Sequence, residues 1–128
     1  ISLVHNGIIE NYLEIREELV KSGSEILSDT DSELVAHLIA REIRTVQDLT
    51  KAVLAVLKKI RGAFSIVCVH DQQPDLLVAF KNGPPLVVGV GEGEAFVVSD
   101  VAAALAHTQK FIYLSDEEVV EVHRGQVR

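Results

Sequence analysis

The chain changes direction within residues 3–11, which read LVHNGIIEN. An apolar run ends there at Asn6-Gly7, and a second apolar pair follows directly. Asn-Gly marks a sharp turn, because both residues tolerate positive φ angles. Two interpretations stay open at this point. The pair is either a two-residue hairpin turn, or a corner where the Asn6 amide and the Gly7 N–H stabilise an anion and no Cβ blocks a substrate.

Composition limits the classes of protein to which the chain can belong. Its 128 residues, 48% of them hydrophobic, suit one domain with a substantial core. The formal net charge of −7 argues against a nucleic-acid or anionic-membrane partner, since both are recognised by basic patches. No apolar run approaches the roughly 18 residues that a membrane span needs. The single cysteine, Cys68, lies in a run typical of a buried strand and fits a reduced, cytoplasmic compartment.

The first half of the chain is predicted to be helical. Apolar residues at helical spacing predict one helix over about 11–22, a second from Thr30 and a third from near Thr45 to Gly62. Asn11 and Thr30 stand at helix starts, each with a glutamate three residues later. Both therefore fit a capping box, in which the two side chains bond reciprocally to the backbone of the first turn.

The second half is predicted to be extended. Three hairpins are expected, at residues 63–69 with 76–80, 86–90 with 95–98, and 111–114 with 119–122. Glycines at 89, 91 and 93 precede a strand rather than a helix, so they predict a hairpin turn and not a dinucleotide-binding loop. Helices segregated from antiparallel strands indicate an α+β class, with helices packed on a sheet.

A series of motifs covers nearly the whole chain in the order and spacing of one known family. They are HNGIIEN at 5–11, S-x-T-D-S-E at 28–33, RGAF at 61–64, G-x-P-L-V-V-G at 83–89, SD at 99–100 and Y-L-x-D at 113–116. By these motifs the chain resembles the glutaminase domain of the glutamine–fructose-6-phosphate aminotransferase family, which are class II, N-terminal-nucleophile (Ntn) amidotransferases. The resemblance implies an αββα sandwich of two antiparallel sheets between helical layers, of which this chain would supply the later strands and most of one helical layer.

The resemblance also implies roles for individual residues. Asn6 and Gly7 would form the oxyanion hole, and Asp31 would bind the α-ammonium group of glutamine. Taken without the resemblance, Asp31 is better explained as an acid that favours the start of a helix. His5 is interpreted as structural, because the family uses the α-amino group of its N-terminal cysteine as the base. Glu117 stands where the family has a glycine, so its turn is expected to avoid glycine-only geometry.

The nucleophile of the family is a cysteine at the mature N-terminus, and Cys68 cannot replace it because it is internal. The chain begins with Ile1 and contains no methionine. We therefore expect residues 1–128 to be the C-terminal part of a single type-2 glutamine amidotransferase domain. The upstream nucleophile segment and the downstream sugar isomerase domains would be absent, and the chain by itself would have no glutaminase activity.

The partners implied by the resemblance are L-glutamine and the ammonia-accepting isomerase domains of the parent protein with fructose 6-phosphate. The parent would make glucosamine 6-phosphate in hexosamine biosynthesis, as a cytoplasmic homodimer. No cofactor is implied, and the histidines lack metal-ligand spacing, so no metal is expected. Two alternatives stay open: a class II amidotransferase of the amidophosphoribosyltransferase type, or a non-catalytic amide-binding module.

Overall fold

The computed structural model describes residues 1–128 as one helical layer and two antiparallel sheets. The helices are α1 (Tyr12–Lys21), α2 (Asp31–Val46) and α3 (Leu49–Leu57), with a short 3-10 helix at Val101–Ala103. The strands are β1 (Ser2–Gly7), β2 (Phe64–His70), β3 (Gln73–Asn82), β4 (Val87–Val90), β5 (Ala95–Val98), β6 (Phe111–Tyr113), β7 (Glu118–His123) and β8 (Gln126–Val127). None of the helices has the length and apolar character needed to cross a membrane.

The larger sheet has the strand order β1-β2-β3-β7-β8, and the smaller sheet has the order β5-β4-β6. Every pairing is antiparallel, which confirms the predicted α+β class and the hairpins β2-β3 and β4-β5. The glycine-rich segment at 89–93 lies at the β4-β5 hairpin, as predicted.

The third predicted hairpin is wrong, because β6 pairs with β4 whereas β7 pairs with β3. The turn between them carries the chain from one sheet to the other. Its Asp116 carboxylate accepts hydrogen bonds from the Lys81 ammonium group and from the Gly83 N–H, the latter at 2.9 Å. These bonds hold the turn against the end of β3. Both strands are short apolar runs that flank a polar turn, as hairpin strands do, so the local pattern could not reveal that they belong to different sheets.

The turn at Glu117 was expected to avoid the geometry that glycine favours, and this expectation is wrong. Glu117 adopts a left-handed conformation with a φ of 64°. The Glu117 N–H donates to the Lys81 carbonyl at 2.7 Å, and the neighbouring Ser115 N–H donates to the Glu118 carboxylate at 2.7 Å. Bonds on both sides of the residue impose the conformation that glycine would take without strain.

The predicted start of the third helix is also wrong. Helix α2 continues to Val46 and ends at Gln47, which has a φ of 53°. Helix α3 then begins at Leu49, and Asp48 is its N-cap, accepting from the Lys51 N–H at 2.8 Å. The helix ends at Leu57, before Gly62. Thr45, the expected start of the third helix, therefore lies in the last turn of α2.

Asn11 occupies the N-cap position of α1, but its side chain makes no capping bond. Its amide instead donates to the Lys59 carbonyl at 2.8 Å and accepts from the Arg61 N–H at 2.9 Å. These contacts tie the start of α1 to the segment that leads into β2, so Asn11 stabilises tertiary structure rather than the helix end. The capping prediction for Thr30 is confirmed in part, since its hydroxyl accepts from the Glu33 N–H.

Two apolar clusters hold the layers together. One lies between the helices and the larger sheet, and it contains the α2 residues Leu34, Val35, Leu38 and Ile39, all buried. The other lies between the two sheets, and it consists of Ala79, Leu86, Val88, Leu114, Val120 and Val122. The larger sheet is therefore covered on both faces, with helices on one side and the smaller sheet on the other.

Candidate active site

The Asn-Gly pair ends β1, the edge strand of the larger sheet. Its partner strand is β2, far along the chain, so the pair is not a hairpin turn. The Ile8 N–H donates to the Ala63 carbonyl at 3.0 Å, which makes Gly7 and Phe64 a non-hydrogen-bonded pair of the antiparallel ladder. The Gly7 N–H therefore points away from β2, toward the edge where β1 has no partner.

Gly7 has a φ of 114°, and a Cβ added there would lie 2.2 Å from the Ala63 carbonyl oxygen and 2.6 Å from Phe64 Cα. The sequence analysis explained this glycine by the room that it leaves for a substrate. The geometry corrects that explanation. The missing side chain leaves room for the backbone of β2, and the exposed N–H is a consequence of the sharp turn that only glycine permits.

The Asn6 side chain lies on the opposite face of β1 from His5, because side chains alternate along a strand. It borders a cavity of about 320 Å³ between the two sheets. The other polar residues at this cavity are His5, Ser65 and Ser99, among mainly apolar residues such as Leu86. The Ser65 hydroxyl is already used, since it donates to the Pro84 carbonyl at 2.6 Å.

Asp31 is the first residue of α2 and faces the segment that follows Gly7. One carboxylate oxygen, Oδ2, accepts from the Ile9 N–H at 3.0 Å. The other, Oδ1, lies 3.4 Å from His5 Nδ1. The side chain keeps 24% of its surface exposed, so the carboxylate is held in place and still reaches solvent.

Gly7 and Asp31 line one cavity of about 410 Å³, together with Tyr12 and residues 29–32. The structure thus brings two of the three sequence-predicted site residues together. The third, Asn6, borders the neighbouring cavity between the sheets instead. His5 lines both cavities and lies between them, which the sequence analysis did not anticipate.

Glu33 organises the loop that enters this cavity. Its two carboxylate oxygens accept from the Leu27 N–H at 2.8 Å and the Ser28 N–H at 2.6 Å, and His37 lies 3.1 Å away. The pKa of Glu33 is lowered most by hydrogen bonding from the Ser28 side chain and next by that from the Leu27 N–H. With a contribution from His37, these bonds lower the pKa of Glu33 from its ordinary 4.5 to about 2.

We expect the Glu33→Gln variant to lose a pH-dependent part of the stability. A carboxyl whose pKa is lower in the folded state stabilises the fold above its ordinary pKa, and loses that effect as the pH falls toward the folded value. Urea midpoints should therefore differ between the wild type and Glu33→Gln by a constant amount above about pH 5, and converge between about pH 4.5 and 2. The control Glu92→Gln, in an exposed turn, should show no such convergence. A constant difference down to pH 2 would contradict the assignment.

Cys68 is buried in β2, and desolvation raises the pKa of its thiol to about 12. A thiol with that pKa is not a nucleophile at neutral pH. The structure contains no group of three or more His, Cys, Asp and Glu side chains that could hold a metal ion.

A family model described as a glutamine amidotransferase domain matches residues 1–107. The chain belongs to this family. The resemblance drawn from the motifs is thereby confirmed, and the cavity at Asp31 is a cavity of an amidotransferase domain.

Two relatives of this amidotransferase domain are glutamine–fructose-6-phosphate aminotransferases (isomerizing). That of Streptomyces coelicolor is 48% identical over all of the chain and 21% of its own length. That of Aquifex aeolicus is 49% identical over 94% of the chain and 20% of its own length. The chain therefore spans about a fifth of the length of these relatives.

A solved structure with the same fold is a glutamine phosphoribosylpyrophosphate amidotransferase from B. subtilis, complexed with ADP and GMP. The TM-score is 0.82 at 23% identity, over 98% of this chain and 28% of the other. At that identity the likeness concerns the fold alone. It confirms the Ntn-type arrangement that the resemblance implied for this amidotransferase domain.

Proposed function

We propose that the chain is the glutamine-binding part of the glutaminase domain in a glutamine–fructose-6-phosphate aminotransferase. The observation that carries the proposal is the cavity shared by Gly7 and Asp31, at the end of the strand that presents Asn6. The aminotransferase assignment, rather than the amidophosphoribosyltransferase alternative, is supported by relatives at 48% and 49% identity.

In this proposal the two ends of glutamine are bound by different elements. The Asp31 carboxylate accepts hydrogen bonds from the α-ammonium group, an interaction between opposite charges. The Asn6 amide and the Gly7 N–H donate to the side-chain carbonyl oxygen as it becomes negative in the tetrahedral transition state. The attacking thiol forms a carbon–sulfur bond to the amide carbon, the carbon–nitrogen bond breaks, the nitrogen takes up the proton of the thiol, and ammonia leaves. Water then hydrolyses the thioester and releases glutamate.

The attacking thiol in this proposal comes from a residue outside 1–128. The raised pKa and burial of Cys68 support this, since the chain contains no other cysteine. Nucleophilic attack needs a thiolate that reaches the amide carbon, and a thiol embedded in a sheet cannot do so. The expected result is that the purified chain of residues 1–128 does not turn over glutamine, measured as glutamate release.

The proposed partners of the full-length protein are L-glutamine, sugar isomerase domains that bind fructose 6-phosphate, and a second copy in a homodimer. The substrates are supported by the name that the relatives share. A reduced cytoplasmic location is proposed on the single buried thiol, which forms no disulfide.

Replacing Asp31 by alanine tests the binding role. We expect the KM for glutamine to rise roughly 10- to 100-fold, because a hydrogen bond to a charged group contributes about 1.5–3 kcal/mol. The kcat should fall much less, since the ammonium contact is present in both the ground state and the transition state. Steady-state glutaminase kinetics of the full-length protein measure both.

The matched control for Asp31→Ala is Asp71→Ala, an acid with 78% of its side chain exposed in the β2-β3 turn. This control should leave KM unchanged. An unaltered KM in Asp31→Ala would refute the role of Asp31. Amination of phosphoribosyl pyrophosphate rather than fructose 6-phosphate by the full-length protein would favour the alternative enzyme.

A further inference from the structure

His5 lines both cavities of the site, and nothing in the proposed chemistry uses it. It lies on the helix-facing side of β1, and only 3% of its side chain is exposed. Its Nδ1 atom lies 2.9 Å from the Ser32 hydroxyl and 3.4 Å from Asp31 Oδ1. Both contacts reach the first turn of α2, where the cavity wall begins.

The contacts select one tautomer of the His5 ring. A carboxylate oxygen only accepts, so a lone pair on Nδ1 would be repelled by Asp31, whereas an Nδ1–H is attracted to it and donates to Ser32. The other ring nitrogen, Nε2, is then a bare acceptor. It is buried and has no hydrogen-bond partner.

The unpartnered Nε2 argues against packing as the reason for a histidine at this position. A buried polar atom without a partner costs about 1–3 kcal/mol, which an apolar side chain of similar volume would avoid. A histidine at this position is explained if its Nδ1–H is needed for function, despite the loss of stability. The groups that Nδ1 meets are the Ser32 hydroxyl and the Asp31 carboxylate.

We infer that His5 is a positioning residue that fixes the Asp31 carboxylate for the ammonium group of glutamine. His5 Nδ1 lies 3.4 Å from Oδ1 and the Ile9 N–H is bonded to Oδ2, so both carboxylate oxygens contact residues 5–9. The same short segment contains Asn6 and Gly7. The distance between the ammonium site and the oxyanion donors is therefore set by one piece of backbone. This inference rests on the proposed function.

Two variants of His5 distinguish a positioning role from a packing role, because the two roles favour different variants. In His5→Asn the amide nitrogen stands as many bonds from Cβ as Nδ1 does, so it retains a donor toward Asp31 but leaves a space behind it. In His5→Leu the space is better filled and the donor is lost. A positioning role predicts a lower KM for glutamine in His5→Asn than in His5→Leu. A packing role predicts that His5→Leu is more stable than His5→Asn.

The test is glutaminase kinetics of the full-length protein, with thermal unfolding of each variant. We expect His5→Leu to raise the KM for glutamine about tenfold, a coupling typical of residues in contact, with kcat changed less than about threefold. His5→Asn should keep KM within about threefold of the wild type, even where its melting temperature is lower. The control His123→Leu, an exposed residue of β7, should change neither. If His5→Leu does not fold, His5→Met replaces it as the apolar variant.

A double variant distinguishes failure of this inference from failure of the proposed function. In an Asp31→Asn background, His5→Leu should add no further rise in KM, because its effect passes through Asp31. A full additional rise overturns the inference alone, as does a KM for His5→Asn as high as that for His5→Leu. An unchanged KM in Asp31→Asn itself overturns the role of Asp31, and the inference with it.

Discussion

Replacing Asn6 by alanine is expected to lower kcat for glutamine hydrolysis by about 10²–10³-fold in the full-length protein, the usual effect of removing one oxyanion donor. The fold should tolerate the change. Asn6 is exposed, and its backbone pairs with Ser65 in β2 whatever side chain it carries. A loss of kcat without a loss of stability is therefore the expected signature, measured by steady-state kinetics beside thermal unfolding.

Two further variants sharpen the Asn6 experiment. Asn6→Asp has the same shape but places a negative charge beside the developing oxyanion, so its kcat should fall at least as far. Ser2→Ala lies on the same face of β1, away from the corner, and should leave kcat unchanged. An Asn6→Ala variant with an unchanged kcat would remove Asn6 from the site.

Replacing Gly7 by alanine is expected to destabilise the protein by about 3 kcal/mol, at the upper end for a strained backbone position. Two causes add together there. The φ of 114° is unfavourable for any residue with a Cβ, and that Cβ would lie 2.2 Å from the Ala63 carbonyl oxygen. The ends of β1 and β2 must separate to relieve the overlap, which also moves the Gly7 N–H.

The matched control for Gly7→Ala is Gly93→Ala. Gly93 also has a positive φ, 67°, but an added Cβ would meet nothing within 4 Å. Alanine there should cost about 1 kcal/mol, from the left-handed conformation alone. Chemical denaturation measures both variants. Equal losses would show that the close approach of β2 has no energetic effect.

Sequence patterns were reliable for features with a local cause. The start of α2 at Thr30 and the β2-β3 and β4-β5 hairpins each depend on residues within one element or one turn. The boundary between α2 and α3 was predicted wrongly, because an acid such as Asp48 fits both the first turn of a helix and an N-cap. The predicted β6-β7 pairing was wrong because partners are chosen between distant elements: β6 pairs with β4, and β7 pairs with β3.

The sequence by itself determined which residues could form the site: a glycine where the chain turns, an amide before it and an acid at the start of a helix. Only the tertiary structure decided how they are grouped. Antiparallel pairing with β2 directs the Gly7 N–H to an open edge, and the docking of α2 brings Asp31 to that edge. Alternation along β1 sends Asn6 to the face between the sheets and His5 toward Asp31, since adjacent side chains of a strand point to opposite faces.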